Sequence, residues 1–189
     1  MKKLLFSLFV MVFAFGFHAS SVSAQQMMNG NPMVGGAAMS KKKNIVENAM
    51  NSKDHTTLVA AVKAAGLVDT LMGKGPFTVF APTNSAFEML PAGTVDTLLM
   101  PENKAMLSKI LTYHVVAGKM DSKAIMKAIK KGNGTAMLKT VAGGMLTAKM
   151  EGSTLVLTDE KGGMSKVTIA NVKQSNGVIH VVDTVLMPN

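Results

Sequence analysis

The spacing of the apolar residues shifts along this chain from mainly helical to β-like, and that shift restricts the folds open to it. Up to Gly132-Asn133-Gly134 apolar positions recur three and four residues apart: Leu58, Ala61, Val62 and Ala65 share one helical face, as do Met106, Leu107, Ile110 and Leu111. Beyond it the pattern is β-like. Thr135 to Val141, Met145 to Met150, Thr154 to Thr158, Lys166 to Val172 and Val178 to Leu186 read as strands. Gly143-Gly144, Glu151-Gly152-Ser153, Gly162-Gly163 and Asn176-Gly177 separate them as turns. Helices first and strands later argue for an α+β domain, since a parallel sheet requires the two to alternate.

Within the helical half, Ile45, Val46 and Ala49-Met50 suit a short helix, and Asp54 or Thr56 can cap a second one that stops at Gly66. Leu67 to Met72 makes a further amphipathic turn. Phe77-Thr78-Val79-Phe80 is a strand, buried on both faces and so suited to the middle of a sheet, ended by Pro82. Thr83, Asn84 or Ser85 caps a helix carrying Phe87 and Leu90, which Pro91 stops. Another helical turn covers Thr94 to Met100, and Pro101 suits the first turn of the helix through Leu111. Tyr113 to Val116 reads as a second strand. Asp121 caps a lysine-rich amphipathic helix through Ile125 and Ile129 to Lys131.

The N-terminal region has a different character. Lys2 and Lys3, the apolar run Leu4 to Phe17 and the small residues Val22-Ser23-Ala24 have the layout of a secretory signal over residues 1–24. The run is short for a membrane span, so no span is expected after cleavage. Residues 25–43, with Asn29-Gly30-Asn31-Pro32, Gly35-Gly36 and Lys41-Lys42-Lys43, read as a flexible leader. Residues 44–189 are then one domain, exported to a periplasm or to the extracellular space. The chain has no Cys, so after export its core alone must stabilise it, and thiol catalysis, thiolate metal sites and thiol redox switching are excluded.

The mature part keeps 18 of the 20 basic residues and all 11 acidic ones, a formal charge of +7. Every base is Lys. Without the planar fork of Arg, base-specific nucleic-acid recognition is not expected. The lysine excess serves solubility or an anionic partner such as acidic polysaccharide or an anionic cell surface.

Three segments belong together: Gly75-Pro76-Phe77-Thr78-Val79-Phe80-Ala81-Pro82-Thr83-Asn84-Ser85-Ala86-Phe87; Leu111-Thr112-Tyr113-His114-Val115-Val116; and Asn176-Gly177-Val178-Ile179-His180-Val181-Val182-Asp183-Thr184-Val185-Leu186-Met187-Pro188. In this order and at these separations they resemble the signature segments of the fasciclin domain family, over about Asn44 to Pro188. The resemblance implies a wedge-shaped fold, a small β-sandwich of two sheets with several helices along one edge. It also implies a secreted, non-enzymatic module for adhesion or association with a cell-surface or matrix protein or an anionic polysaccharide, using no cofactor. By the same resemblance Tyr113, His114 and the surroundings of Asp183 are the expected contact surface. A single domain lacks the avidity of tandem copies.

The chemistry of the residues agrees with a binding module. His55, His114 and His180 lie far apart in sequence with no local metal-ligand spacing, and His180 alternates with Val178 and Val182 as a buried, hydrogen-bonded histidine would. Asp183 can satisfy backbone donors at a turn. No nucleophile elbow or phosphate loop is present. Methionine is the compositional outlier, with 18 residues. Most suit a plastic core. Met27, Met28, Met33 and Met39 in the leader have no core to join, and their soft thioethers give the alternative reading, a Cu(I)-binding tail.

Overall fold

The computed structural model describes residues 27–28 and 30–189; the expected signal segment lies outside the described residues. Three short strands, β1 (Met27–Met28), β2 (Asn31–Val34) and β3 (Ala37–Ala38), make a small antiparallel sheet ahead of the helices. Strands at 27–28, 31–34 and 37–38 thus stand within the segment 25–43 expected as a flexible leader. Val34 and Met39 are both buried in the main core. Gly35, with φ at +56°, marks a close approach: a Cβ there would stand 2.4 Å from Ser52 Oγ, and Lys53 N donates to Gly35 O at 3.1 Å. The glycine serves contact with the domain, where its sequence context suggested freedom.

Helix α1 (Ile45–Ala49) is closed by a capping box: Asn44 Oδ1 accepts from Glu47 N at 2.9 Å, and Glu47 Oε2 accepts from Asn44 N at 2.7 Å. Helices α2 (Thr56–Ala64) and α3 (Val68–Met72) follow, then strand β4 (Phe77–Pro82). Helices α4 (Asn84–Glu88), α5 (Thr94–Leu99) and α6 (Lys104–Tyr113) lead to β5 (Val115–Ala117). Helix α7 (Ser122–Lys131) carries the chain to β6 (Thr135–Lys139), β7 (Met145–Glu151), β8 (Thr154–Thr158), β9 (Met164–Gln174) and β10 (Gly177–Val182). The division into early helices and late strands is as expected. Tyr113 is a correction: it ends α6, and the strand begins two residues later.

The main sheet runs β5-β4-β10-β9-β8-β7-β6, with β10 parallel to β4 and the other pairs antiparallel. Its two halves form the sandwich and share the long strand β9. A bridge from Val116 to Thr140, with Val141 N donating to Val115 O at 2.7 Å, draws the ends together. Strand periodicity sorts two cores. Val79, Ala81, Ile179 and Val181 face the helices, where they meet Ile45, Leu58, Leu107 and Leu111. Phe80 and Val182 face the sandwich interior with Leu146, Leu157 and Ile125. Strand β4 therefore lies inside the sheet and is buried on both faces, as its aromatic and β-branched residues predict.

Candidate binding face

The Tyr113-His114 pair sits where α6 ends against the rim of the sandwich. Both side chains are buried, at 0% and 3% exposure. These two residues, which the resemblance places at a contact surface, make their hydrogen bonds within the domain. His114 Nδ1 donates to Ile110 O at 2.8 Å, and Nε2 accepts from Leu186 N at 3.0 Å. Both ring nitrogens are thus used by the neutral imidazole, and burial lowers its pKa to about 4. Tyr113 Oη donates to Met145 O at 2.8 Å and accepts from Glu160 N at 3.1 Å. Burial pushes the phenol up to about 12. Together they fasten the 140–145 turn, the 159–163 loop and the C-terminal segment to the helical layer.

Asp183 is half-buried and works on the same rim. Its Oδ1 accepts from Lys166 N at 2.8 Å and Thr184 Oγ1 at 3.1 Å, so the carboxylate closes a turn. Asp159, which no sequence motif marked, does more: Oδ1 accepts from Lys161 N at 3.0 Å and Gly163 N at 2.7 Å, and Oδ2 accepts from Met187 N at 2.8 Å. A β-strand followed by Asp and a Gly-Gly pair three and four residues on was the available signal.

Helix α7 presents a surface of a different kind. Ile125 and Ile129 bury one face, while Lys123, Lys127, Lys130 and Lys131 are exposed on the other. Lys123, Lys127 and Lys130 follow the helical i, i+4, i+7 spacing and span about 10 Å along the axis. The helix contains no acidic residue. Among the described residues the ion pair is Lys149–Glu151, on another element, so these lysines are free to meet an external anion. An open concavity of about 430 Å³ adjoins the C-terminal end of the helix, lined by Ala128, Lys131, Gly132, Thr135, Ala136 and Met137.

The start of α7 is held from three directions. Asp121 Oδ1 accepts from Ala124 N at 2.9 Å. Asn171, at φ +62° in an irregular stretch of β9, accepts from Ser122 N at 2.7 Å. His180 Nε2 donates to Met120 O at 2.9 Å, and its ring stacks on Phe80 at 5.6 Å. His180 is the buried, hydrogen-bonded histidine its alternation predicted, with its pKa lowered by burial. The lysine helix is therefore a rigid platform.

His55 is buried with Ser52 Oγ 2.9 Å from Nδ1; its Nε2 has no hydrogen-bond partner and borders a cavity of about 20 Å³, the scale of one water. A second apolar cavity of about 40 Å³ lies beneath α1, α2 and α3, far smaller than the several hundred Å³ usual for an organic ligand. No cluster of three His, Asp or Glu side chains suited to a metal occurs among the described residues. Of the four methionines of the copper reading, Met27 and Met28 belong to β1, which pairs with β2, Met33 is half-buried on β2, and Met39 is in the core at 2% exposure.

Comparison with known proteins agrees with this architecture. Residues 53–188 match the family model described as Fasciclin domain. Protein sll1483 of Synechocystis sp. is 44% identical over 178 residues, covering 93% of this chain and 91% of that protein. The cell surface glycolipoprotein MPB83 of Mycobacterium bovis is 37% identical over 145 residues, covering 74% of this chain and 58% of that one. Among solved structures, a FAS1 domain pair from the insect cell adhesion molecule Fasciclin I is similar in fold, with a TM-score of 0.68 and 18% identity; the match covers 77% of this chain and 51% of that chain.

Proposed function

Because this chain belongs to the fasciclin domain family, we propose that it is an exported, non-enzymatic binding module that associates with an anionic polysaccharide at a cell surface or in an extracellular matrix. The exposed lysine row of α7, unopposed by any carboxylate on its own helix, carries this reading. Lysines without arginine suit a polymer of repeated charge, where point charges act without directional pairing. The rigid base beneath the helix keeps the row in register, which lowers the ordering cost of binding. The relative named as a cell surface glycolipoprotein supports association with a surface. In this reading Tyr113, His114 and Asp183 hold the rim and do not contact the partner.

Elution from immobilised dextran sulfate tests it. The protein is expected to elute at increasing salt, and Lys123→Gln/Lys127→Gln/Lys130→Gln to elute at clearly lower salt, because screening weakens exposed charge interactions. Equal elution of the two proteins, or retention indifferent to salt, overturns the assignment of this face.

A further inference from the structure

We propose that the surface methionines of this protein form a reversible sink for two-electron oxidants of the hypochlorous acid class. Among the described residues the large apolar side chains standing exposed are eight methionines and Val141, at 38 to 62% exposure. Met50, Met72, Met89, Met100 and Met106 lie on or just after five of the first six helices; Met126, Met137 and Met164 lie on α7, β6 and β9. Leu, Ile and Phe are absent from that exposed set. Helix preference does not explain the choice, because Met137 and Met164 are on strands. A docking surface does not explain it either, since a soft methionine surface for a partner would gather on one face, and these are spread over eight segments.

Among the described residues the oxidisable aromatic and imidazole side chains are arranged in the opposite way. Cys and Trp are absent from the chain. Tyr113, His55, His114 and His180 are all buried. Side chains whose oxidation is difficult to reverse are thus missing or shielded, whereas the thioether, whose sulfoxide is enzymatically reducible, faces solvent. Location also decides the structural consequence. A sulfoxide is polar, so it would disrupt packing at Met39 but is readily hydrated at the eight exposed positions.

The step is a two-electron oxidation of sulfur. Hypochlorous acid transfers Cl⁺ to the thioether, water displaces chloride, and the net products are the sulfoxide, one proton and one chloride. Methionine sulfoxide reductases acting on the two epimers restore the thioether with electrons from a thiol reductant.

Titrating the full folded protein with hypochlorous acid, with peptide mass spectrometry at each step and circular dichroism in parallel, tests the proposal. The eight exposed methionines are expected to gain one oxygen each before Met39 does, with the fold retained. Purified sulfoxide reductases and dithiothreitol are expected to return the mass to its starting value. A variant with all eight changed to Gln is expected to take up several-fold less oxidant before unfolding and to protect an added oxidant-sensitive reporter enzyme several-fold less. If that variant does not fold, Met50→Gln/Met72→Gln/Met89→Gln/Met100→Gln is expected to lose about half of the protection, being half of the set. Oxidation of Met39 in step with the surface set, unfolding at the first additions, or undiminished protection by the variant that folds overturns the proposal.

Discussion

The imidazole of His114 accepts the backbone N–H of Leu186 at 3.0 Å while donating to Ile110 O, so one neutral ring ties the end of α6 to the C-terminal segment. Its folded pKa of about 4 lies below the ordinary value of 6.5 that the unfolded chain retains. Between those values the unfolded state binds more protons, so stability rises with pH there and is lost as pH falls from 6.5 towards 4. The full effect is about 3 kcal/mol, and burial lowers His55 and His180 in the same direction. Urea midpoints measured across this range should fall with pH, and His114→Gln should flatten the slope by about one proton. An unchanged slope in the variant would assign the effect elsewhere.

Tyr113→Phe keeps the ring and deletes the hydroxyl between Met145 O and Glu160 N. Two backbone groups lose a partner, which costs about 1–2 kcal/mol, and a melting temperature lower by about 3–6 °C is expected. Hydrogen exchange should quicken first at Met145 and Glu160.

Asn84 reaches across to a helix other than its own. It accepts from Thr57 N at 3.0 Å and donates to Lys53 O at 2.8 Å, serving the start of α2, while Thr83 caps α4. Asn84→Ala should cost about 1–2 kcal/mol in urea unfolding. Ser85→Ala, whose hydroxyl is exposed and meets Thr83 Oγ1 alone, should be nearly neutral.

Met39→Ala measures how firmly the N-terminal sheet belongs to the domain. Truncating a core side chain costs about 2–4 kcal/mol, whereas the same change in a loose leader would cost nothing detectable. Thermal unfolding separates the two outcomes.

Gly177 pairs with Phe77 at the start of the parallel β4–β10 contact, and a Cβ there would lie 2.1 Å from Phe77 O. Backbone blocks the space, so Gly177→Ala must shift a strand at a cost of about 3 kcal/mol. A variant with an unchanged urea midpoint would show that the strands separate without strain.

The helical and strand halves, the Asp121 cap and the burial of β4 were legible before any coordinates, because each depends on periodicity or on residues within three or four positions. Tyr113 was misplaced as strand because its aromatic ring and the β-branched residues after it favour a strand, while the α6 helix extends to include it. The leader was misread because Gly35 appears as a breaker until its contact with Ser52 is known. The partners of Asp159, Asn171 and Asn176 were not legible. Asn176 Oδ1 accepts from Ile45 N at 3.0 Å across 131 positions, and its Nδ2 donates to Leu71 O at 2.8 Å, partners that no local pattern announces.

By itself, then, the sequence determined the class of fold, the order of its elements, a thiol-free core and a lysine-bearing amphipathic helix, since apolar spacing and short-range capping act within a few residues. Tertiary structure alone decided that Tyr113 and His114 face inward, that Met39 is core, and that thioethers occupy the exposed apolar positions. The reason is physical: exposure and hydrogen-bond partnership belong to pairs of surfaces brought together by folding, and two residues a hundred positions apart carry no mark of each other until the chain closes.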